Sequence, residues 1–246
     1  MRNLFVLLFA PLLALAACGG DGNSSTPVTS ATAVATVKPP AGTDWLNVVQ
    51  KTPEGGYMQG NPNAPIKLVE YGSRSCPVCG AFANTGVEPL RTRYVATGRV
   101  SYEFRDFMIH PQDPGIALLG HCVPTESFFA VLDRMYALQP QFNEKASQVT
   151  DAMYRQIQAM PRQQQASTWA EILGYIDLMK QSGVPEAKAR ACLADTALLT
   201  QLSDIMKKGA DDGVSGTPTF FINGKQVPNV VSFDGLEPAL MAAGAR

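Results

Sequence analysis

Cys76 and Cys79 are separated by two residues, Pro77 and Val78, a spacing that lets two sulfurs form and break a disulfide reversibly. A strand-like segment precedes the pair and a helical pattern follows it, so the motif falls on the first turn of a helix. The partial positive charge of a helix N-terminus stabilises a thiolate at the first sulfur, while the second is shielded. Proline suits the first helical position because it has no N–H to leave unpaired. We therefore predict that Cys76 is the nucleophile and Cys79 the resolving thiol of a redox pair.

A structural disulfide and half of a zinc site are the alternatives for this pair. Zinc needs two further ligands with a spacing of their own. His110 and His121 are the only histidines of the chain, and neither belongs to a second paired motif. A histidine on its own is typical of the surface or of a hydrogen-bonded core position. We expect no metal and no other cofactor.

The segments around the pair predict a βαβ unit. Residues 66–71 have the pattern of a strand, residues 76–98 carry apolar side chains at helical spacing, and residues 100–107 alternate like a second strand. The strands of such a unit are parallel, with the helix crossing over between them. Residues 44–59 are expected to be a short lead-in.

Helices alone are predicted from residue 114 to about residue 207, where three apolar stripes indicate helices that face a core. Four prolines are expected to separate these helices: Pro124, Pro140, Pro161 and Pro185.

Strand signals return at residues 219–222 and 225–227, on either side of an Asn-Gly turn, and a last helix begins at a Ser232 cap. The predicted fold class is therefore α/β. Its predicted parts are residues 44–107, a helical insertion at residues 108–208, and residues 209–246.

The N-terminal residues have the pattern of an export signal. The apolar run at residues 4–15 is too short to span a bilayer, and a buried N-terminal helix is its alternative. The run ends in Leu-Ala-Ala-Cys, which resembles a bacterial lipoprotein signal and implies that residues 1–17 are removed and Cys18 is acylated. Residues 18–43 are small and polar and predict a flexible tether.

Composition and charge narrow the possible partners. The chain has 246 residues, of which 46% are hydrophobic, so we expect a folded globular protein rather than a disordered or fibrous one. Twenty Lys and Arg against 21 Asp and Glu give a net charge of −1, and no basic block could neutralise a row of phosphates. We expect no nucleic-acid partner.

Three segments together resemble the DsbA-like branch of the thioredoxin fold. They are Val69-Glu70-Tyr71, residues 76–82 with the sequence CPVCGAF, and residues 216–224 with the sequence GTPTFFING. The resemblance covers about residues 55–243. It implies a thioredoxin fold with a helical domain inserted between its βαβ and ββα halves.

The resemblance also implies roles for three further residues. Pro218 matches the family's cis-proline, whose loop faces the cysteines, and Thr217 would offer backbone hydrogen bonds to a substrate strand; an ordinary trans turn is the alternative. Glu70, six residues before Cys76, matches the family's buried acid. Burial would raise the pKa of its carboxyl, so that it could pass a proton to or from Cys79. An exposed strand glutamate is the alternative.

One position departs from the family pattern. Many strongly oxidising members carry histidine between the proline and the second cysteine, where its partial positive charge stabilises the thiolate. Val78 supplies no such charge. We therefore predict a weaker oxidant than the archetype, and a low pKa of Cys76, as in a strong oxidant, would count against this.

Cys122 and Cys192 are far apart in sequence, and both fall in predicted helices of the insertion. In an oxidising compartment such a pair most simply forms a structural disulfide, and some members of the resembled family carry one in the helical domain. Two buried reduced thiols are the alternative.

The function predicted from these features is that of a lipid-anchored, extracytoplasmic or periplasmic thiol-disulfide oxidoreductase. Its substrates would be unfolded or partly folded exported proteins with cysteines, and a membrane redox partner, either a quinone-linked oxidase or an electron donor, would reset it. Two alternatives stay open. One is a disulfide reductase or isomerase kept reduced by a membrane electron donor, and the other is a non-catalytic binding module or chaperone on the same fold.

Overall fold

The computed structural model describes residues 32–246. The predicted signal sequence at residues 1–17, Cys18 and the tether up to residue 31 lie outside the described residues. Within the described part, six strands form one mixed sheet in the order β1-β2-β4-β3-β5-β6. The strands are β1 Val49–Lys51, β2 Tyr57–Gly60, β3 Ile66–Gly72, β4 Val100–Asp106, β5 Thr219–Ile222 and β6 Lys225–Val227.

The centre of the sheet confirms the predicted βαβ and hairpin units. β3 and β4 run parallel, with Ile66 opposite Val100, and β5 pairs antiparallel with β3 on its other side. β5 and β6 join through Asn223 and Gly224, which have φ values of 50° and 77°. Asparagine and glycine tolerate this left-handed conformation, which matches the twist of a tight hairpin.

Ten α-helices follow the chain order within residues 32–246. They are α1 Pro77–Thr85, α2 Val87–Arg93, α3 Asp113–Gly120, α4 Phe128–Ser147, α5 Asp151–Gln158, α6 Arg162–Leu173, α7 Tyr175–Gln181, α8 Glu186–Leu193, α9 Thr196–Asp211 and α10 Phe233–Ala242. None of the helices in this part of the chain is long and apolar enough to cross a membrane. The predicted α/β class with an inserted helical domain is confirmed.

Two hydrophobic cores meet at α4. One core joins α1, α2 and α10 to a face of the sheet, and the other fills the helical insertion and reaches β3 through Tyr71. α4 supplies Phe128 and Tyr136 to the first core and Met135 and Phe142 to the second. A single helix therefore fixes the insertion relative to the sheet.

The expectation of a plain lead-in at residues 44–59 is wrong, because β1 and β2 form there. β2 pairs with β4, so its partner lies more than 40 residues away in the sequence and no local pattern reveals it. The single helix predicted at residues 76–98 is also wrong. It breaks at Gly86, where Phe233 of α10 packs so closely that a Cβ atom would lie 2.9 Å from its side chain.

Pro140 lies inside α4 and does not separate two helices, contrary to the prediction. Proline has no N–H, so the carbonyl of Tyr136, four residues earlier, lacks its usual helical donor. Asn84 of α1 donates its Nδ2 to that carbonyl at 3.3 Å. The proline therefore frees an acceptor that links α4 to α1.

The limits of the insertion differ slightly from the prediction. α9 continues to Asp211, past residue 208, because Gly209 allows the helix to pack against the ring of Tyr71. α3 ends at Gly120, so Cys122 lies in the turn that follows and not in a helix. Cys192 lies within α8 as predicted.

Part of the predicted tether is bound to the domain. The N–H of Val34 donates to the carbonyl of Gly244 at 2.8 Å, and the N–H of Val37 donates to Thr97 at 2.9 Å. The buried indole of Trp45 donates its Nε1 to the carbonyl of Val37 at 2.7 Å. A flexible tether up to residue 43 is thus wrong for residues 32–43, since backbone hydrogen bonds and one tryptophan hold them.

Candidate active site

Cys76 and Cys79 lie where β3 ends and α1 begins. Cys76 is the N-cap residue, with an extended backbone of φ −71° and ψ 120°, and Pro77 is the first residue of α1. Both cysteines are free thiols, with 5% of Cys76 and 0% of Cys79 exposed. The first cysteine thus has a narrow opening to solvent and the second has none.

The surroundings of Cys76 favour its thiolate. The hydrogen bond from the Cys79 thiol is the largest cause that lowers the pKa of Cys76 to about 5, and the N–H groups of Val78 and Cys79 contribute further. Burial opposes this shift. Sγ of Cys76 lies 3.4 Å from the carbonyl oxygen of Thr217, and the protonated thiol can donate a hydrogen bond to that oxygen.

Cys79 has the opposite character. Burial raises the pKa of its thiol far above the ordinary value, and the hydrogen bond to Cys76 and the negative charge of Glu70 raise it further. Cys79 therefore stays protonated and donates to the Cys76 thiolate. At neutral pH the motif therefore contains one thiolate, Cys76, and one thiol, Cys79, that donates a hydrogen bond to it.

Glu70 is buried beneath the pair, with 1% of the residue exposed. Burial raises the pKa of its carboxyl to about 8, although Tyr102 donates its hydroxyl to Oε2 at 2.5 Å and thereby favours the charged form. A carboxyl with this pKa can both hold and release a proton near neutral pH.

Thr217 and Pro218 lie beside the cysteines at the start of β5. The Thr217–Pro218 peptide bond is cis. Pairing of Tyr71 with Thr219 across β3 and β5 brings this loop next to the end of β3, where the redox motif begins. The structure therefore brings together Cys76, Cys79, Glu70, Thr217 and Pro218.

Three side chains on one face of α4 donate to the four successive backbone carbonyls that end at Cys76. The donors and acceptors are Tyr136 Oη to Ser73 (3.1 Å), Gln139 Nε2 to Arg74 and Cys76 (3.0 Å each) and Asn143 Nδ2 to Ser75 (3.2 Å). The contact of these three residues with the loop was not predicted from the sequence. Their spacing of three and four positions was the available signal, since it puts all three on one helix face.

A buried ionic cluster lies behind the same loop. Arg74 pairs with Asp106 at 2.6 Å, and His121 Nε2 lies 2.8 Å from the same carboxylate. Burial works against ionisation of Asp106, but Arg74 and His121 hold its pKa below the usual range. The side chain of His121 is buried, so this histidine is a hydrogen-bonded core residue, one of the two settings expected for it. The burial lowers the pKa of its imidazole.

His110 occupies a different setting. Its side chain is 39% exposed, and its Nδ1 lies 2.8 Å from the hydroxyl of Ser75. Among residues 32–246, no group of three or more His, Cys, Asp or Glu side chains has the arrangement of a metal site.

Cys122 and Cys192 are joined by a disulfide in the structure, with their Cα atoms 5.9 Å apart. The bond links the turn after α3 to α8 inside the helical insertion. These two cysteines are not part of the redox motif. Cys18, the predicted lipidation site, is outside the described residues.

A family model described as Thioredoxin matches residues 52–242, which include the cysteine motif and the cis-proline loop. The chain belongs to the thioredoxin family. One curated relative in this comparison, named as a protein-disulfide oxidoreductase of Rickettsia conorii, is 25% identical over 198 residues. The match covers 79% of this chain and 62% of that protein, so the thioredoxin-family chain spans less than two thirds of the relative's length.

Solved structures of the thioredoxin family support the same architecture. The protein-disulfide isomerase of Novosphingobium aromaticivorans is 27% identical, with a TM-score of 0.72 over 75% of this chain and 95% of that one. Wolbachia pipientis alpha-DsbA1 is 18% identical, with a TM-score of 0.60 over 77% and 92% of the two chains, a likeness that concerns the fold. The DsbA-like form of the thioredoxin fold is confirmed.

Proposed function

We propose that this chain is a thiol-disulfide oxidoreductase that forms or exchanges disulfides in other proteins through Cys76 and Cys79. The observation that carries the proposal is the unequal pair of thiols. The lowered pKa of Cys76, about 5, makes it a stable thiolate, and the raised pKa of Cys79 keeps it a thiol. A pair that served only as a structural disulfide would need no such difference.

The reaction begins with the disulfide between Cys76 and Cys79. A substrate thiolate attacks Sγ of Cys76, the bond to Cys79 breaks, and a mixed disulfide forms on Cys76. Cys79 leaves as a thiolate in a buried site and takes a proton. Glu70 supports this step as the proton donor. Burial raises the pKa of its carboxyl to about 8, so the carboxyl still carries a proton at neutral pH.

A second substrate thiolate then attacks the substrate sulfur of the mixed disulfide. Cys76 leaves as a thiolate, and its low pKa makes it a good leaving group. Two substrate thiols are oxidised to one disulfide, and the two electrons remain in the reduced cysteine pair. Thr217 and Pro218 border the sulfur of Cys76 and are proposed to bind the substrate backbone.

The setting we propose is outside the cytoplasm. The export pattern at residues 1–17 and the acylation motif at Cys18 support a lipid-anchored protein, and the disulfide between Cys122 and Cys192 fits an oxidising compartment. The substrates would be unfolded or partly folded exported proteins with cysteines. A membrane redox partner would reset the cysteine pair.

The test combines two single variants and one potential. Cys79→Ser is first treated with glutathione disulfide, which places a mixed disulfide on Cys76. A thiolate of a reduced, unfolded substrate protein should then displace glutathione as a thiol, and the mixed disulfide between Cys76 and the substrate should accumulate. Cys76→Ser is expected to form none. Equilibration of the wild-type pair with glutathione buffers gives the reduction potential. A reduction potential of about −120 mV identifies a disulfide donor, and one of about −270 mV identifies a reductant. A wild-type protein that exchanges no disulfides would sink the proposal, and binding of unfolded protein that survives replacement of both Cys76 and Cys79 would favour the binding-module alternative.

The reductase or isomerase direction is the alternative that the reduction potential distinguishes. The pKa of about 5 for Cys76 lies between the values of roughly 7 for thioredoxin and roughly 3.5 for DsbA. The expectation of a weaker oxidant, made from Val78, stays a prediction that the same potential tests.

A further inference from the structure

Asp113 is a buried carboxylate that joins the helical insertion to the loop before the nucleophile. It is the first residue of α3 and is 2% exposed. Two hydroxyls of the loop donate to it, Ser75 Oγ to Oδ1 at 2.6 Å and Ser73 Oγ to Oδ2 at 2.8 Å. The N–H groups of Ile109 and His110 also donate to Oδ2, at 2.8 and 2.9 Å. All four contacts require an acceptor, which the two carboxyl oxygens of Asp113 supply.

The hydroxyl of Ser73 passes this contact on to Cys76. A hydroxyl has one hydrogen, and Ser73 gives it to Asp113, so the lone pairs of Oγ are left for donors. The N–H of Cys76 lies 3.1 Å from Oγ and the N–H of Ser75 lies 3.3 Å from it. The same N–H of Cys76 is also 3.2 Å from the carbonyl of Ser73. Because the hydrogen of the Ser73 hydroxyl points to Asp113, the lone pairs of Oγ face the N–H groups of Ser75 and Cys76.

A second branch ends at the protein surface. Ser75 gives its one hydrogen to Asp113, so the contact of 2.8 Å between Ser75 Oγ and His110 Nδ1 must have His110 as the donor. This contact selects the imidazole form that carries a hydrogen on Nδ1. The branch reaches the backbone of Ser75 but makes no bond to the amide of Cys76.

We propose that Asp113, acting through the hydroxyl of Ser73, positions Cys76 for thiol-disulfide exchange. The inference rests on the proposed function, since it gives Asp113 a part in that reaction. Asp113 touches neither sulfur, so it is a positioning residue. A fixed amide at Cys76 sets the extended N-cap backbone, with φ −71° and ψ 120°, and this backbone places Sγ at the N-terminus of α1.

Positioning and simple charge make opposite predictions for the removal of this carboxylate. A negative charge close to Cys76 disfavours its thiolate, so its removal alone would lower the pKa of Cys76. Loss of the aim of Sγ at the helix N-terminus removes hydrogen bonds to the thiolate and raises that pKa. The sign of the change therefore separates the two roles.

The experiment titrates the thiolate absorbance of Cys76 in the reduced full chain. Asp113→Asn and Ser73→Ala are each expected to raise the pKa of Cys76 by about one unit, the size of one hydrogen bond to a charged group. The double variant is expected to equal the larger single shift, because the two residues act in series. Asp133→Asn, which removes a carboxylate paired with Arg91 on the outside of α4, is the matched control and should leave the titration unchanged.

A lowered or unchanged pKa in Asp113→Asn would overturn the proposal, and so would additive shifts in the double variant. If Asp113→Asn does not fold, Ser73→Ala decides alone, because it keeps the buried carboxylate and its two backbone donors. The titration needs no turnover. A wild-type chain without any exchange activity would therefore refute the proposed function and still leave the effect of Asp113 measurable.

Discussion

Arg74 donates two hydrogen bonds to Asp106, Nε to Oδ1 at 2.6 Å and Nη2 to Oδ2 at 3.1 Å, and neither side chain is more than 3% exposed. The guanidinium also lies over the rings of Phe104 and Phe128, at 5.4 and 5.1 Å from their centres. Arg74 is two residues before Cys76. The redox loop is therefore built on a charged pair that water does not reach.

Replacement of this arginine should be costly. Arg74→Met would leave the Asp106 carboxylate buried without its cation, and we expect a loss of about 3–5 kcal/mol in the free energy of unfolding. Urea denaturation of the oxidised protein measures it. Lys207→Met removes the cation of an exposed pair with Asp211 and should leave the free energy of unfolding nearly unchanged, because solvent screens such a pair. Equal losses in the two variants would contradict the buried-pair argument.

The reactivity of Cys76 should follow its lowered pKa. We expect the alkylation rate of Cys76 to rise with pH, with the midpoint of the rise at about pH 5, and to reach a plateau at higher pH. Cys79 should stay unreactive while the protein is folded. Mass mapping after timed alkylation distinguishes the two thiols. A midpoint near the ordinary thiol value of about 8.5 would refute the assignment.

The same shift predicts how redox state and stability depend on pH. The folded pKa of Cys76 lies below that of an unfolded thiol, so the thiolate stabilises the reduced form. This stabilisation is complete above the unfolded pKa and is lost as the pH falls through about 5. The melting temperature of the reduced protein, relative to that of the oxidised protein, should fall as the pH is lowered over that window. Reduced Cys76→Ser, which has no thiolate at this position, should lack this part of the pH dependence.

Glu70 should destabilise the fold at neutral pH. Its folded pKa of about 8 lies above the ordinary value of 4.5, so stability falls as the pH rises between these values. We expect Glu70→Gln to stabilise the protein by about 1–3 kcal/mol at neutral pH, with no gain at about pH 3, where Glu70 is uncharged in the folded and the unfolded states alike. Thermal melts at the two pH values measure this. Glu88→Gln, on the exposed side of α2, is the control, and the same gain there would argue for a general charge effect.

Gly80 should tolerate no larger residue. A Cβ at this position of α1 would overlap with Oε1 of Gln139, the side chain that binds the carbonyls of Arg74 and Cys76. We expect Gly80→Ala to cost about 1–3 kcal/mol and to alter the reduction potential of the cysteine pair. In α10, a Cβ at Gly235 would meet its nearest neighbour at 3.5 Å. Gly235→Ala should therefore be neutral or stabilising, and a neutral Gly80→Ala would contradict the close fit.

Local signals in the sequence predicted much of this molecule. The cysteine motif, the Asn223-Gly224 hairpin and the Ser232 cap each depend on residues within a few positions of one another, and Ser232 does accept from the N–H of Gly235. β2 was missed because its pairing with β4 is long-range. Gln139 was missed because a polar residue on a long helix usually faces water, and only the tertiary fold brings it to the loop carbonyls.

Both ends of the described chain lie together. Val34 is bonded to Gly244 and Val37 to Thr97, just before β4 begins, whereas Cys76 follows the far end of the parallel strand β3. The seven residues of β3, about 23 Å of extended strand, separate the bonded chain ends from the end of the strand that Cys76 follows. A molecule captured on a bead or sensor chip through its C-terminal residue, Arg246, would therefore turn its cysteine pair away from the support, so this immobilisation leaves the thiols accessible.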